Sequence, residues 1–232
     1  MRRFNALFFI LCATTYSFAD QPDIVTLSDA AKERTKHYVI YHGSYYKLDY
    51  PNGDVPAHFG VCTDVIIRSY RALGIDLQER VHEDMTANFS LYPSNRIWGL
   101  KRPDANIDHR RVPNLQTFFS RHGSELPIYE QGAQYQSGDI VTWMLPGNKP
   151  HIGIVSDLWS KDQERPLMVH NIGYGPELED MLFDYPITGH YRYLPKLTPS
   201  CIWFMACKPR CFNDLLLLLR ARFKMLKQSL AK

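Results

Sequence analysis

Between residues 62 and 73 the apolar positions Val65, Ile66, Tyr70 and Leu73 recur at helical spacing, and Gly74 suits the end of that helix. The same period predicts helices over residues 27–40, with Ser28 as N-cap, and over 77–90. A further helix is expected over 112–122, where Pro113 fits the first turn and Gly123 the stop. From residue 137 the period shortens to two. Strands are predicted over 138–144, 151–157, 167–171 and 189–194, with LPGNKP turning between the first two. Along the second strand, alternation places His151, Gly153, Val155 and Asp157 on one face. Helices first and an antiparallel sheet afterwards is an α+β arrangement, N-terminal helices packing on the sheet. A tyrosine-rich, turn-prone stretch, YHGSYYKLDYPNGDVPAHFG, delivers the chain to Cys62.

The two ends read differently from this body. Residues 1–19 have the form of a secretory signal: Arg2 and Arg3, a short apolar stretch, then Ser17-Phe18-Ala19 as a cleavage site. Leu11 before Cys12 does not suit a lipid anchor, so a periplasmic or secreted bacterial protein is expected, with a domain over 20–196. Residues 197–232 form a leucine-rich basic tail whose charges interrupt any 20-residue apolar span. A basic amphipathic helix from residue 213 would give weak contact with an anionic membrane surface; packing on the domain is the alternative. The whole chain carries +3, but the tail holds +6 and the signal +2, which leaves about −5 for residues 20–196. That balance argues against a nucleic-acid partner, and a monomer is expected.

Cys62 is the only cysteine of residues 20–196; Cys201, Cys207 and Cys211 lie in the tail. A helix start favours a thiolate, because unpaired backbone N–H groups and the helix dipole attract negative charge. The competing reading is a small buried hydrophobe. His151 and His170, on strands expected to be neighbours, would supply a base and the group that orients it. Two polar clusters stand outside this set. Asp104, Asp108 and His109, with His82, Glu83 and Asp84, match no recognised metal-ligand spacing, and no cofactor is expected. Arg110 and Arg111 carry the chemistry to hold a substrate carboxylate.

The blocks GVCTDVIIRSYRALGID, SGDIVTWMLPGNKPHIGIVSD and MVHNIG together resemble the NlpC-type branch of the papain-like cysteine peptidases, bacterial enzymes that cut the peptide stems of peptidoglycan. Within it, VHEDM and DANIDHRRVPNL resemble a secreted bacterial domain-of-unknown-function family; the resemblance covers roughly residues 38–195. It implies a papain-like fold in which Cys62 attacks an amide carbonyl, His151 moves the proton and His170 orients His151. It also implies an oxyanion site at the Cys62 N–H, assisted by an upstream tyrosine, Tyr46 or Tyr50. Asp64, Asp108, His109 and Arg110 are the substrate-binding candidates, and peptidoglycan or a related peptide the expected substrate. The chain departs from the family's common Asp-Cys-Ser/Gly context, having Val61-Cys62-Thr63-Asp64. From other classes, the alternatives are a non-catalytic envelope binding protein that keeps the fold and an acyltransferase that uses the same triad.

Overall fold

The computed structural model describes residues 25–194, so the expected signal over 1–19 and the tail over 197–232, with its three cysteines, lie outside the described residues. The described residues hold five α-helices and eight strands: α1 Leu27–Arg34, β1 Ile40–Tyr41, β2 Phe59–Gly60, α2 Cys62–Ala72, α3 Leu77–Asn88, α4 Ser94–Trp98, α5 Val112–His122, β3 Ser124–Leu126, β4 Ile140–Leu145, β5 Lys149–Trp159, β6 Pro166–His170, β7 Glu177–Glu179 and β8 Ile187–Arg192. Six of the strands form one antiparallel sheet in the order β3-β8-β4-β5-β6-β7, while β1 and β2 form a separate parallel pair. This is the expected α+β class.

The helices cover one face of the sheet. Val65, Ile66 and Tyr70 of α2 and Leu115, Phe118 and Phe119 of α5 form a single core with Ile152 and Ile154 of β5 and Val169 of β6. The opposite face carries Val141, Trp143, Val155 and Met168, covered by Tyr135, Met181 and Leu182 from the connections. β5 therefore alternates as its sequence predicts: Ile152 and Ile154 face the helices, and Val155 faces away. A buried carboxylate, Asp139, ties β4 to β8 by accepting from Arg192 Nε at 2.6 Å and contacting His190 Nε2 at 2.9 Å.

Both ends of α1 differ from expectation. The N-cap of α1 is Thr26: its hydroxyl accepts from the Asp29 N–H, and the Asp29 carboxylate accepts from the Thr26 N–H. Ser28 instead joins α1 to β5, donating to Asp157 Oδ1 at 3.0 Å. The helix stops at Arg34 because the β-branched and aromatic residues after His37 are drawn into β1, where Ile40 pairs with Phe59.

Candidate active site

Cys62 is the first residue of α2, following an extended Val61 that offers no side-chain cap. Asp64 closes the first turn, its carboxylate accepting from the Val61 N–H at 2.7 Å. Arg110 then binds Asp64 with two parallel bonds, Nε to Oδ1 and Nη2 to Oδ2, both 2.9 Å. The helix start is thus pinned from outside by a buried ion pair.

That arrangement reverses the expected electrostatics of the thiol. Cys62 is 5% exposed, and its pKa is pushed up from 9.0 to about 12, by burial first and by the Asp64 charge second. The backbone N–H groups of Ile152, Thr63 and Cys62 act in the opposite direction and do not outweigh burial. At neutral pH the resting group is a thiol. The sulfur lies by the Ile152 N–H, one residue from His151, and among the described residues the thiol makes no hydrogen bond to the His151 ring.

His151 and His170 do meet. His151 Nε2 lies 3.0 Å from His170 Nδ1, the rings nearly perpendicular at 88°, and His170 Nε2 lies 2.9 Å from Glu179 Oε2. Gly153 leaves room for this: a Cβ there would approach His170 Cβ and Trp143 to 3.2 Å and the Val169 carbonyl to 3.0 Å. Burial lowers His151 from 6.5 to about 3, helped by His170, and lowers His170 to about 4. Both rings are therefore neutral at pH 7, which fixes their tautomers. A carboxylate only accepts, so His170 Nε2 donates to Glu179. His170 Nδ1 must then accept from His151 Nε2–H, and His151 Nδ1 is left as a free lone pair. The neighbouring Glu179 raises the Glu177 pKa.

The tyrosine beside the sulfur is Tyr41 on β1, not Tyr46 or Tyr50. Burial and the neighbouring Cys62 push the Tyr41 phenol up to about 12. Tyr46 is instead turned to His42 Nδ1 at 3.0 Å, and Tyr50 packs edge-on against His82. Tyr41 and Glu179 were not singled out in the sequence. Tyr41 is one of many tyrosines in its stretch, and Glu179 sits in a three-residue strand within a polar run.

The four substrate-binding candidates, Asp64, Asp108, His109 and Arg110, are all buried. Asp64 and Arg110 have side chains only 3% and 2% exposed and satisfy each other. Asp108 accepts from the Asp104 N–H and from Arg111 Nη1 at 3.1 Å. His109 is buried, with its pKa lowered to about 3 by desolvation and by Arg110. Arg111 lies over the Trp98 ring at 4.3 Å. Asp84 belongs to a helix-joining network, accepting from Arg121 Nε at 2.7 Å and the Tyr92 hydroxyl at 2.6 Å. Among the described residues no three histidines, cysteines or acids gather as a metal site.

A family model described as "Domain of unknown function (DUF1287)" matches residues 28–193, from the start of α1 to just beyond β8. Similar to this chain is the "Uncharacterized protein YijF" of Escherichia coli (strain K12), 49% identical over 172 residues that make up 74% of this chain and 82% of that protein. The match holds all of the residues just described, from Tyr41 and Cys62 to His151, His170 and Glu179, and on it the chain belongs to the DUF1287 family.

Proposed function

We propose that this chain is a cysteine amidohydrolase of papain-like, NlpC-type fold that works in the cell envelope on an amide bond of peptidoglycan stems or related peptides. The observation that carries the reading is the chain of hydrogen bonds from Glu179 through His170 to His151, which leaves a lone pair on the ring adjoining the residue that holds the Cys62 sulfur. In this mechanism the thiol turns from the Ile152 N–H towards His151 Nδ1 as substrate enters, a contact of the kind that tightens only in the substrate complex. The proton passes to Nδ1 as sulfur attacks the carbonyl carbon. The oxyanion is met by the Cys62 N–H at the start of α2 and by the Tyr41 hydroxyl, which its raised pKa keeps protonated. His151 returns the proton to the leaving amine, and water, deprotonated by the same ring, then cleaves the thioester.

The high pKa of the thiol favours a second reading, in which the same cleft binds peptides without cutting them. One experiment separates the two. Peptidoglycan fragments are incubated with the protein and analysed by mass spectrometry beside Cys62→Ala and His151→Ala. Hydrolysis by the parent, abolished by Cys62→Ala and reduced by about 10²- to 10⁴-fold in His151→Ala, is expected. Full activity of Cys62→Ala would overturn the mechanism, and intact fragments with the parent would overturn the hydrolase.

A further inference from the structure

A cavity of about 380 Å³ runs along α2 from the Cys62 end. Gly60 and Val61, just before the thiol, form one part of its wall, and Asn171, directly after His170, forms another. Arg68 and Arg71 of α2 and Arg34 at the end of α1 complete a strongly basic side. Against these three guanidiniums stands one carboxylate of the same wall, Asp54, shared by two of them: it accepts from Arg68 Nε at 3.0 Å and Arg71 Nη1 at 2.7 Å. The other acid in the wall, Asp64, is already matched by Arg110. Arg34 has no acid within ion-pair distance among the described residues; its polar contact is with His37 at 3.1 Å. Burial and the like charge of Arg68 lower its pKa.

The unsatisfied groups around this cavity are all donors. Arg34 Nε, Arg71 Nε and Asn171 Nδ2 are buried without a hydrogen-bond partner among the described residues. Asn171 is 1% exposed, and its orientation is fixed because Oδ1 accepts from the N–H groups of Gly173 at 3.1 Å and Gly175 at 3.3 Å. That leaves its amide NH₂ with nothing to bind. A buried donor left unmade costs about 1–3 kcal/mol, and three of them beside surplus positive charge ask for an anion with planar acceptors.

We propose that this cavity is a carboxylate-binding subsite which, if the hydrolase reading holds, grips a free carboxylate of the peptide substrate. Arg68 is saturated by Asp54 and by the carbonyls of Val55, Ala57 and Phe59, so the open donor on α2 is Arg71 Nε. Arg71 follows Cys62 by nine residues, about 14 Å along the axis at a rise of about 1.5 Å per residue. An extended peptide covers about 3.3 Å per residue. The subsite therefore selects peptides whose carboxylate lies about four residues from the bond to be cut.

The test measures binding with chemistry removed. Cys62→Ala protein is titrated, by calorimetry, with a peptidoglycan stem tetrapeptide as its free acid and as its C-terminal carboxamide, and with inorganic phosphate. The free acid should bind about tenfold or more tightly than the carboxamide. Arg34→Gln, which breaks no ion pair, and Asn171→Asp, which keeps the Oδ1 contacts and replaces the free donor with a charge, should each remove that preference. Equal binding of acid and amide, a preference that survives both substitutions, or tighter binding of phosphate than of the free acid would overturn the subsite. Turnover by the parent without acid preference in Cys62→Ala would overturn the subsite and leave the hydrolase. Acid preference with no turnover would overturn the hydrolase and leave a carboxylate site.

Discussion

Replacing Arg110 by Met tests whether this residue holds the fold or the substrate. In the structure it makes two 2.9 Å bonds to Asp64 and one of 3.2 Å to the Ser44 carbonyl, with both charged side chains almost wholly buried. Met fills much of the same space and leaves the Asp64 carboxylate with the Val61 N–H but no counter-charge. Breaking a buried pair from one side costs about 3–5 kcal/mol, a large share of the roughly 5–15 kcal/mol that holds a domain together. For a domain of this size that is a fall in Tm of about 6–20 °C. Urea and thermal unfolding followed by circular dichroism give the number. Adding Asp64→Asn, which keeps an acceptor for the Val61 N–H and removes the stranded charge, should recover at least about 1 kcal/mol relative to the sum of the single changes. A loss below about 1 kcal/mol for Arg110→Met, with weaker peptide binding in its place, would refute the structural assignment and restore Arg110 to the substrate site.

Glu179→Ala should lower kcat by about 10- to 100-fold with little change in KM, because His170 loses the acceptor that sets both tautomers; an unchanged kcat would remove Glu179 from the relay. Glu179 has a side chain 44% exposed, so the unfolding midpoint should move by less than about 1 kcal/mol. Acid should destabilise the domain well before carboxylates titrate. His109 and His151 at about 3 and His170 at about 4 all lie below the unfolded value of 6.5, so the unfolded chain binds more protons; stability is whole above pH 6.5 and falls as pH drops towards 4. Each histidine contributes a slope approaching about 1.4 kcal/mol per pH unit, and equal urea midpoints at pH 7 and pH 5 would contradict the burial of these rings.

What could be read before the structure was set by how local each signal is. α2 and α5 were legible because an apolar stripe and terminal glycine or proline cues sit within a dozen residues. The strands carrying His151 and His170 were legible from alternation, and their pairing from antiparallel geometry. β1 was not, since Ile40 and Tyr41 become a strand only through Phe59 and Gly60, and the segment from His37 was read as helix. The same non-local fold hid Tyr41 behind Tyr46 and Tyr50. The burial of Asp64, Asp108 and Arg110 is hidden for the opposite reason: charge suggests a ligand or a surface, and nothing in the sequence of Arg110 reveals a partner 46 residues away. One cue was present for Asp64, three residues after Val61 at a helix start, where an acid commonly closes the first turn.

The buried, protonated state of Cys62 also governs what can happen to it outside any reaction cycle. Thiolate, not thiol, attacks peroxide and disulfides and binds metal ions, and with its pKa pushed up to about 12 Cys62 is almost wholly thiol at pH 7. A 5% exposed sulfur beneath Tyr41 is shielded sterically as well. The residue is thereby spared sulfenylation and mixed-disulfide formation while it rests, and becomes open to them only when a ligand or a base draws the proton off the sulfur.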